Sequence, residues 1–396
     1  MAMAFKVLTL NAISVKGLDR LARDQYEIAS EFSKPDAILL RSHKLQPAEI
    51  ADSVLAIGRA GAGTNNIPVD YCSSKGIPVF NSPGANANAV KELVAAGLLL
   101  GSRGIFEGIN WVNTLTDHTD KAKLNTLLEA QKKNFKGSEV AGKTLGVVGL
   151  GAIGSLVADM ALQMGMRVIG YDPALSVEAA WRLSSQVERA EALSSLFAKS
   201  DFITLHLPVL DATRDLINAD LFQVLKPGAK LLNFARQEIV HEPSLIAALE
   251  AGSLAAYIAD FPTPALIGRP DVILMPHIGA STDEAEDNCA IMAADQIKDF
   301  LENGNIKNSV NFPSLYLERT AGCRLAVTNT NVPKMLGSVL SVLADANINV
   351  ADMLNKSRGD LAYNLIDMES CPDEATLAQL RSLEGIVNVR LIGPPK

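Results

Sequence analysis

Three glycines at G-x-G-x-x-G spacing, Gly149, Gly151 and Gly154, are the clearest sign of binding chemistry in this chain. They follow an apolar run that begins at Thr144, and a second apolar run ends about twenty residues later at Asp172. Amides at the start of a helix after such a loop bind a pyrophosphate. The Asp172 carboxylate can accept hydrogen bonds from the ribose hydroxyls, and it repels the 2′-phosphate of NADP. The pattern therefore predicts a site for NAD. A plain tight turn would also use glycines, but the flanking strands and the acid favour the nucleotide.

Three polar residues each follow a predicted strand: Arg236, Asp260 and His277. Ligands of an open parallel sheet bind outside the carboxyl ends of its strands, so these residues form a candidate site. Hydride transfer from a 2-hydroxy acid needs a group that accepts the hydroxyl proton and a cation that fixes the carboxylate. His277 and Arg236 suit these two roles. Taken singly, they also fit a structural histidine and a surface arginine.

A second glycine-rich loop, residues 58–66, follows another apolar run. Its small residues expose backbone amides that can receive a carboxylate. Arg59 and Arg41 add positive charge that would suit a phosphate. A tight turn with two solvated arginines explains the loop at least as well.

The order of predicted elements places these residues. Up to residue 80, short apolar runs alternate with helical patterns, which is typical of a small α/β domain. Six strands are predicted from Thr144 to Met275, the number of a doubly wound dinucleotide fold. Helices are predicted from Ala87 to Ile109 and from Glu284 to Asn303.

Beyond Phe312 the pattern becomes strand, helix, strand, strand, helix, strand. The predicted fold is therefore α/β, with two Rossmann-like doubly wound parallel-sheet domains and a C-terminal βαββαβ, ferredoxin-like domain. The predicted boundaries are residues 1–95 with 285–316 for a substrate-binding domain, 96–284 for the NAD-binding domain and 317–396 for the C-terminal domain.

Composition narrows the class of protein. The 396 residues are 48% apolar, enough for two or three hydrophobic cores. A net charge of −8 with scattered basic residues makes nucleic acid and membrane unexpected partners. The four cysteines form no C-x-x-C pair, which predicts reduced thiols, a cytoplasmic location and no metal site. They are Cys72, Cys289, Cys323 and Cys371.

Together these segments resemble the D-2-hydroxyacid dehydrogenases over nearly the whole chain. The matching motifs are residues 59–63, 81–84, 90–93, 149–154, 206–208, 233–236 and 276–282. The last, P-H-I-G-A-S-T, is the most specific and is typical of members that act on a phosphorylated 2-hydroxy acid. The C-terminal domain resembles an ACT domain, a regulatory module that often binds amino acids between paired copies.

The resemblance implies NAD-dependent oxidation of 3-phospho-D-glycerate to 3-phosphohydroxypyruvate. Arg236 would hold the substrate carboxylate and carbonyl, and His277 would be the general acid/base. The amides of Ala62 and Gly63 would receive the carboxylate, with Arg59 near the phosphate. The implied cofactor-binding residues are Gly149, Gly151, Ala152, Ile153, Gly154, Asp172, Pro208 and Asp260, the last through the nicotinamide carboxamide.

In the ACT-like domain, Asn331 and Asn349 match effector-contacting asparagines, and Asn329 stands where serine-inhibited members often have a histidine, so the resemblance implies L-serine as an effector. The turn departs from the usual ACT pattern, since Lys334 rather than glycine follows Pro333. Paired ACT modules and exposed helical faces also imply a symmetric homo-oligomer, either a homodimer or a homotetramer.

One departure from the family concerns catalysis directly. The family places a glutamate a few residues beyond the aspartate at Asp260, where it hydrogen-bonds the catalytic histidine, but here the next acid is Asp271. Without it, His277 should hold a proton less tightly and be less firmly oriented, giving a slower enzyme. Two alternatives follow: a reductase of hydroxypyruvate or glyoxylate, and a weakly catalytic NAD-binding sensor.

Overall fold

The computed structural model describes residues 4–319 and 322–393. The strands in these ranges are β1 (Phe5–Leu10), β2 (Tyr26–Ala29), β3 (Ala37–Leu40), β4 (Ala56–Arg59), β5 (Val79–Phe80), β6 (Thr144–Val148), β7 (Arg167–Tyr171), β8 (Val187–Arg189), β9 (Phe202–Leu205), β10 (Lys230–Asn233), β11 (Ala256–Ala259), β12 (Val272–Leu274), β13 (Cys323–Thr330), β14 (Val350–Arg358), β15 (Leu361–Met368) and β16 (Ile386–Ile392).

The α-helices in the same ranges are α1 (Val15–Leu18), α2 (Val69–Ser74), α3 (Ala87–Ser102), α4 (Ile105–Asn113), α5 (Lys121–Gln131), α6 (Ala152–Gln163), α7 (Val177–Ala180), α8 (Leu193–Lys199), α9 (Ala219–Gln223), α10 (Glu242–Glu250), α11 (Asp283–Asn303), α12 (Met335–Asp345) and α13 (Glu374–Ser382). Short 3₁₀ helices lie at Pro47–Glu49, Lys132–Phe135 and Gln237–Ile239. No helix of the described ranges is long and apolar enough to cross a bilayer.

The described residues divide into two compact units. One unit runs from Ala87 to Thr282 without interruption. The other combines the residues up to Asn86 with those from Asp283 onward, so it includes the C-terminal antiparallel sheet. The finer division into three domains, with boundaries near residues 95, 284 and 316, stays a prediction.

The uninterrupted unit contains a seven-stranded parallel sheet in the order β12-β11-β10-β9-β6-β7-β8. Taken from β6, this is the 3-2-1-4-5-6 order of dinucleotide-binding folds with one further strand, so the predicted doubly wound sheet is confirmed. Successive residues of the central strands enter different hydrophobic clusters: Leu231 lies in one and Leu232 in another. Both faces of the sheet are therefore covered. The sequence missed β8, which is short and mostly polar.

The interrupted unit contains a five-stranded parallel sheet in the order β2-β1-β3-β4-β5, which is also a doubly wound order. Its second sheet is antiparallel, in the order β14-β15-β13-β16, and the predicted βαββαβ layout is confirmed. The two sheets share one hydrophobic cluster, in which Val7 of β1, Ile297 of α11 and Leu365 of β15 are all buried. The C-terminal sheet is thus packed into this unit.

The long helix predicted from Ala87 to Ile109 is wrong as a single element. It ends at Ser102, and a new helix begins after Gly104. The first part, α3, buries residues on the sheet, whereas α4 has no buried residue. Glycine residues near the break lower the stability of a continuous helix. The two parts also differ in burial, because α3 packs on the sheet and α4 does not.

The expectation of four reduced thiols is wrong for one pair. Cys323 and Cys371 form a disulfide with their Cα atoms 5.3 Å apart, although 48 positions separate them in sequence. Cys323 begins β13 and pairs in register with Met368, the last residue of β15, so folding brings Cys371 close to it. The spacing of the two cysteines in the sequence does not reveal that folding brings them together. Cys72 and Cys289 are free and buried.

Candidate active site

The ends of three neighbouring strands fix the position of the candidate catalytic residues. Asn233 of β10 pairs with Ala259 of β11, and Ala259 pairs with Leu274 of β12, all in parallel. The chain therefore leaves these strands at the same edge of the sheet. The residues that follow within three positions are Arg236, Asp260 and His277.

His277 sits on a strained turn of the backbone. Its φ is 48°, in the left-handed region that residues other than glycine rarely adopt. The turn is held because the His277 N–H donates to the carbonyl oxygen of Asp260 at 2.8 Å. The imidazole is exposed and packs on the ring of Phe261, with ring centroids 4.7 Å apart. Within the described chain, no side chain hydrogen-bonds the imidazole.

The next acid along the chain does not supply the carboxylate that the family places near this histidine. Both Asp271 oxygens accept from the Arg269 guanidinium, at 3.0 and 2.9 Å. That ion pair holds the pKa of the Asp271 carboxyl below its usual range. The Asp271 carboxylate therefore pairs with Arg269 rather than with His277.

Asp260 is almost fully buried, with 1% of its surface exposed. Its Oδ2 accepts from the Gly279 N–H at 2.9 Å, whereas Oδ1 is buried and has no partner among the described residues. Burial raises the pKa of the Asp260 carboxyl, and the Gly279 amide and the charges of His277 and Arg236 oppose that shift. A buried acid thus lies at the centre of the cluster.

A buried amide that sequence reasoning missed shapes the turn that carries Arg236. Asn233 is fully buried, and its side chain donates to the Arg236 carbonyl at 2.9 Å and to the Tyr257 hydroxyl at 3.2 Å. Its amide oxygen accepts from the Ala235 N–H at 3.1 Å. The signal in the sequence for this role is a polar residue at the end of an otherwise apolar strand. Asn233 therefore fixes the backbone from which the guanidinium extends.

The glycine loop of residues 149–154 has the shape that a pyrophosphate requires. Gly149 has φ 89°, and a Cβ there would lie 2.5 Å from the His206 carbonyl oxygen. A Cβ on Gly154 would overlap the Gly149 carbonyl, whereas one on Gly151 would meet nothing within 4 Å. The first amides of α6, including those of Ala152 and Ile153, have no partner within the helix. Open space and free amides fit the pyrophosphate of NAD.

Asp172 follows β7 directly and is held beside this loop. Its Oδ2 accepts from the Leu150 N–H and its Oδ1 from the Ala174 N–H, each at 2.9 Å. Each carboxylate oxygen keeps a further lone pair. The carboxylate therefore keeps acceptor sites for hydroxyl groups, and its role at the ribose stays a prediction.

His206 and Pro208 follow β9 at the same edge as the loop. His206 is half-buried with its Nδ1 fully covered, and its Nε2 lies 3.0 Å from the Thr204 hydroxyl. Burial lowers the pKa of His206 to about 3, so the ring is neutral at physiological pH. The Pro208 carbonyl oxygen accepts a hydrogen bond from the Thr213 hydroxyl at 2.6 Å. The hydrogen bond to Thr204 and the neutral ring fit a structural role for His206.

The second glycine-rich loop lies in the other compact unit. Arg59 ends β4, and its Nε donates to the Arg41 carbonyl at 3.2 Å. Arg41 itself forms an ion pair with Glu286 at 2.5 Å, which offsets its charge. Among the described residues, no group accepts a hydrogen bond from the amide of Ala62 or Gly63. These two amides remain available for an anion.

The three asparagines of the predicted effector site do not come together within one chain. Asn329 is buried in β13 and accepts from the Asn364 amide at 2.7 Å. Asn331 follows β13, where its N–H donates to the Asp360 carbonyl, and Asn349 precedes β14. β13 and β14 both run antiparallel to β15, so Asn331 and Asn349 lie at opposite ends of this sheet.

Comparison with known proteins identifies the family of this chain. The family described as "D-isomer specific 2-hydroxyacid dehydrogenase, NAD binding domain" matches residues 107–279. The chain is 32% identical over 355 residues to D-3-phosphoglycerate dehydrogenase of Escherichia coli K12, covering 86% of this chain and 82% of that protein. It is 31% identical over 402 residues to the Haemophilus influenzae D-3-phosphoglycerate dehydrogenase, covering 97% and 93%.

A solved structure adds the fold. The NAD⁺-bound 3-phosphoglycerate dehydrogenase of Entamoeba histolytica matches with a TM-score of 0.61 at 27% identity, covering 79% of this chain and all of that one. The chain belongs to the D-isomer-specific 2-hydroxyacid dehydrogenases and is an NAD-dependent oxidoreductase. Within that family it is similar to the D-3-phosphoglycerate dehydrogenases. The predicted family and cofactor are confirmed.

Replacing Asp172 tests the cofactor preference. The Asp172→Asn variant loses the charge that repels a 2′-phosphate and the charge-assisted bonds to ribose, so the ratio of kcat/KM for NAD to that for NADP should fall by about tenfold. Steady-state kinetics with both cofactors measure the ratio. The exposed Asp220→Asn variant of α9 serves as the control, and an unchanged ratio in Asp172→Asn would place the specificity elsewhere.

Proposed function

We propose that this chain catalyses the NAD-dependent oxidation of 3-phospho-D-glycerate to 3-phosphohydroxypyruvate, the first step of L-serine biosynthesis. The observation that carries the proposal is the shared strand edge of β10 to β12, which brings Arg236 and His277 to one side of a sheet that also carries the glycine loop. The names of the relatives support the same substrate.

The two side chains divide the chemistry at C2 of the substrate. When bound, NAD supplies the acceptor for the hydride that leaves C2. His277 in its neutral form accepts the proton of the C2 hydroxyl, so that a carbonyl forms. Arg236 binds the carboxylate with its planar guanidinium and polarises the new carbonyl oxygen. The substrate thus loses one hydride and one proton.

From the family resemblance, we also assign substrate contacts to residues of the second glycine-rich loop. The Ala62 and Gly63 amides, which donate to no group among the described residues, are assigned to the substrate carboxylate. Arg59 binds the phosphate. These roles follow the family resemblance and match the polarity of the groups.

The proposed role of His277 is tested by His277→Asn, which also tolerates a positive φ. Removal of the general base should lower kcat by about 10²- to 10⁴-fold. The affinity for NAD, measured by fluorescence titration, should stay close to that of the wild type. If kcat is also close to wild type, the proton passes to another group.

Substrate preference separates the proposal from its alternatives. We expect kcat/KM to be at least about a hundredfold higher for 3-phosphoglycerate than for glycerate, because binding the phosphate adds charge-assisted bonds. Steady-state assays in both directions, with hydroxypyruvate and glyoxylate as keto acids, give the comparison. Equal values for phosphorylated and plain acids would favour the reductase, and NAD binding without any turnover would favour the sensor.

We also propose that the protein is a homo-oligomer that associates through α4. Three large apolar residues lie three positions apart on this helix and are half exposed: Phe106 at 45%, Ile109 at 55% and Val112 at 51%. Residues at this spacing lie near one face, and exposed apolar patches mark interfaces. A second copy of the same helix would cover them symmetrically.

Charge on this face should separate the subunits. In Ile109→Asp, light scattering after gel filtration should give a smaller molar mass than for the wild type, because a carboxylate would have to be buried in the interface. Val177→Asp places the same change on an exposed residue of α7 and should leave the mass unchanged. A wild-type monomer, or an Ile109→Asp oligomer of unchanged mass, would contradict the assignment.

The C-terminal sheet is proposed as an ACT domain on the basis of its βαββαβ order. L-serine is its proposed effector, and Asn331 and Asn349 can meet one ligand only if two copies of the sheet contribute. A cytoplasmic location stays a prediction from the sequence.

A further inference from the structure

Two arginines lie at the edge of the five-stranded sheet where the second glycine-rich loop begins. β3 and β4 are parallel neighbours with Leu40 opposite Arg59, so Arg41 leaves β3 at the same edge. Arg59 Nε donates to the Arg41 carbonyl at 3.2 Å, and a Cβ on Gly61 would lie 2.0 Å from Arg59 Nη1. The Arg59 guanidinium therefore lies against the loop. Arg41 and Arg59 together form what we call the phosphate subsite.

The Arg41 guanidinium is paired with a carboxylate of α11. Arg41 Nη2 donates to Glu286 Oε1 at 2.5 Å, and the two side chains are 39% and 40% exposed. Exposed ion pairs add little to stability, because water competes for both charges. The bond uses one nitrogen of a guanidinium that carries several N–H donors. A stronger anion can therefore replace Glu286 at Arg41 at a small cost in free energy.

Both partners extend from a fixed backbone, so the exchange needs movement of side chains only. The Arg41 carbonyl accepts from the Asn66 amide at 3.1 Å as well as from Arg59. On α11, the carbonyl of Cys289 accepts from the Ser82 hydroxyl at 2.8 Å, one turn after Glu286. These bonds hold the strand end and the start of the helix in place.

The carboxylate of Glu286 stays stabilised after it leaves Arg41. It belongs to the first turn of α11, where the partial positive charge of the helix N-terminus favours acids, and it is open to water. A phosphate carries about two negative charges and several acceptor oxygens, so it binds a guanidinium more strongly than a carboxylate with one charge. An incoming phosphate is therefore the stronger partner for Arg41.

We propose that Glu286 is a resident counter-ion of the phosphate subsite, which pairs with Arg41 while the subsite is empty and is displaced by the phosphate of the substrate. The inference rests on the function proposed above and adds to it a residue that sets the affinity for phosphate. Because the product keeps the phosphate, the return of Glu286 to Arg41 also helps the product to leave.

The test measures the binding of inorganic phosphate to the full-length protein saturated with NAD, which keeps phosphate out of the loop of residues 149–154. Glu286→Gln keeps the size of the side chain and removes its charge. In isothermal titration calorimetry, the dissociation constant for phosphate should fall about fivefold. Asp295→Asn is the matched control. It removes a carboxylate of the same helix that pairs with Arg20 at 2.7 Å and is 41% exposed, and it should leave the constant unchanged.

Steady-state kinetics add a second readout. In Glu286→Gln, KM for 3-phosphoglycerate and the inhibition constant of the phosphorylated product should both fall about fivefold. KM for glycerate, which has no phosphate, should stay close to that of the wild type. In an Arg41→Met background, Glu286→Gln should change the phosphate dissociation constant by less than about twofold, because no guanidinium is left to release.

An unchanged or weaker phosphate complex in Glu286→Gln would overturn the inference, because Glu286 would then hold Arg41 in place for the ligand. An equal gain in Asp295→Asn would overturn it as well, since the effect would then come from overall charge. If Glu286→Gln does not fold, Glu286→Ala is judged by the same fivefold gain.

Phosphate binding needs no turnover, so the two proposals can fail separately. An active phosphoglycerate dehydrogenase whose phosphate affinity ignores Glu286 overturns only the counter-ion role. A tighter phosphate complex in Glu286→Gln of a protein that oxidises no 2-hydroxy acid overturns only the proposed function.

Discussion

The parallel register of β10, β11 and β12 is the constraint on which the site depends. Because Asn233, Ala259 and Leu274 lie side by side, the next few residues of each strand emerge at one edge. A shift of one residue in any pairing would turn the side chains of that strand to the opposite face and displace the turn that follows it. The apolar contacts on both faces of the sheet fix the register, and the chemistry follows from it.

Much of the site could be predicted from the sequence because its signals are local. A glycine loop between two apolar strands specifies its own turn, and residues that follow strands share an edge in any parallel sheet. Features that depend on distant pairing could not be predicted in this way. The Cys323–Cys371 disulfide and the bonds from Asn233 to Tyr257 join residues that only folding brings together. The short polar strand β8 forms because it pairs with β7, and its own composition does not predict a strand.

The C-terminal sheet is joined to its unit by two arginines as well as by apolar packing. Arg324 is fully buried, forms a two-bond pair with Asp367, and donates to the Asn303 carbonyl at the end of α11. Arg390 donates to the carbonyls of Phe300 and Leu301 in the last turns of the same helix. The final carbonyls of a helix lack partners within it and carry partial negative charge, so cations stabilise this end.

The shared hydrophobic cluster of the interrupted unit has a consequence for synthesis of the chain. Val7 in β1 is buried together with Ile297 and Leu365, which the ribosome adds much later. The uninterrupted unit can fold as soon as it emerges, whereas the segment that contains β1 must wait with its apolar strand uncovered. Loss of the segment that contains Ile297 and Leu365 therefore exposes residues that were made long before it.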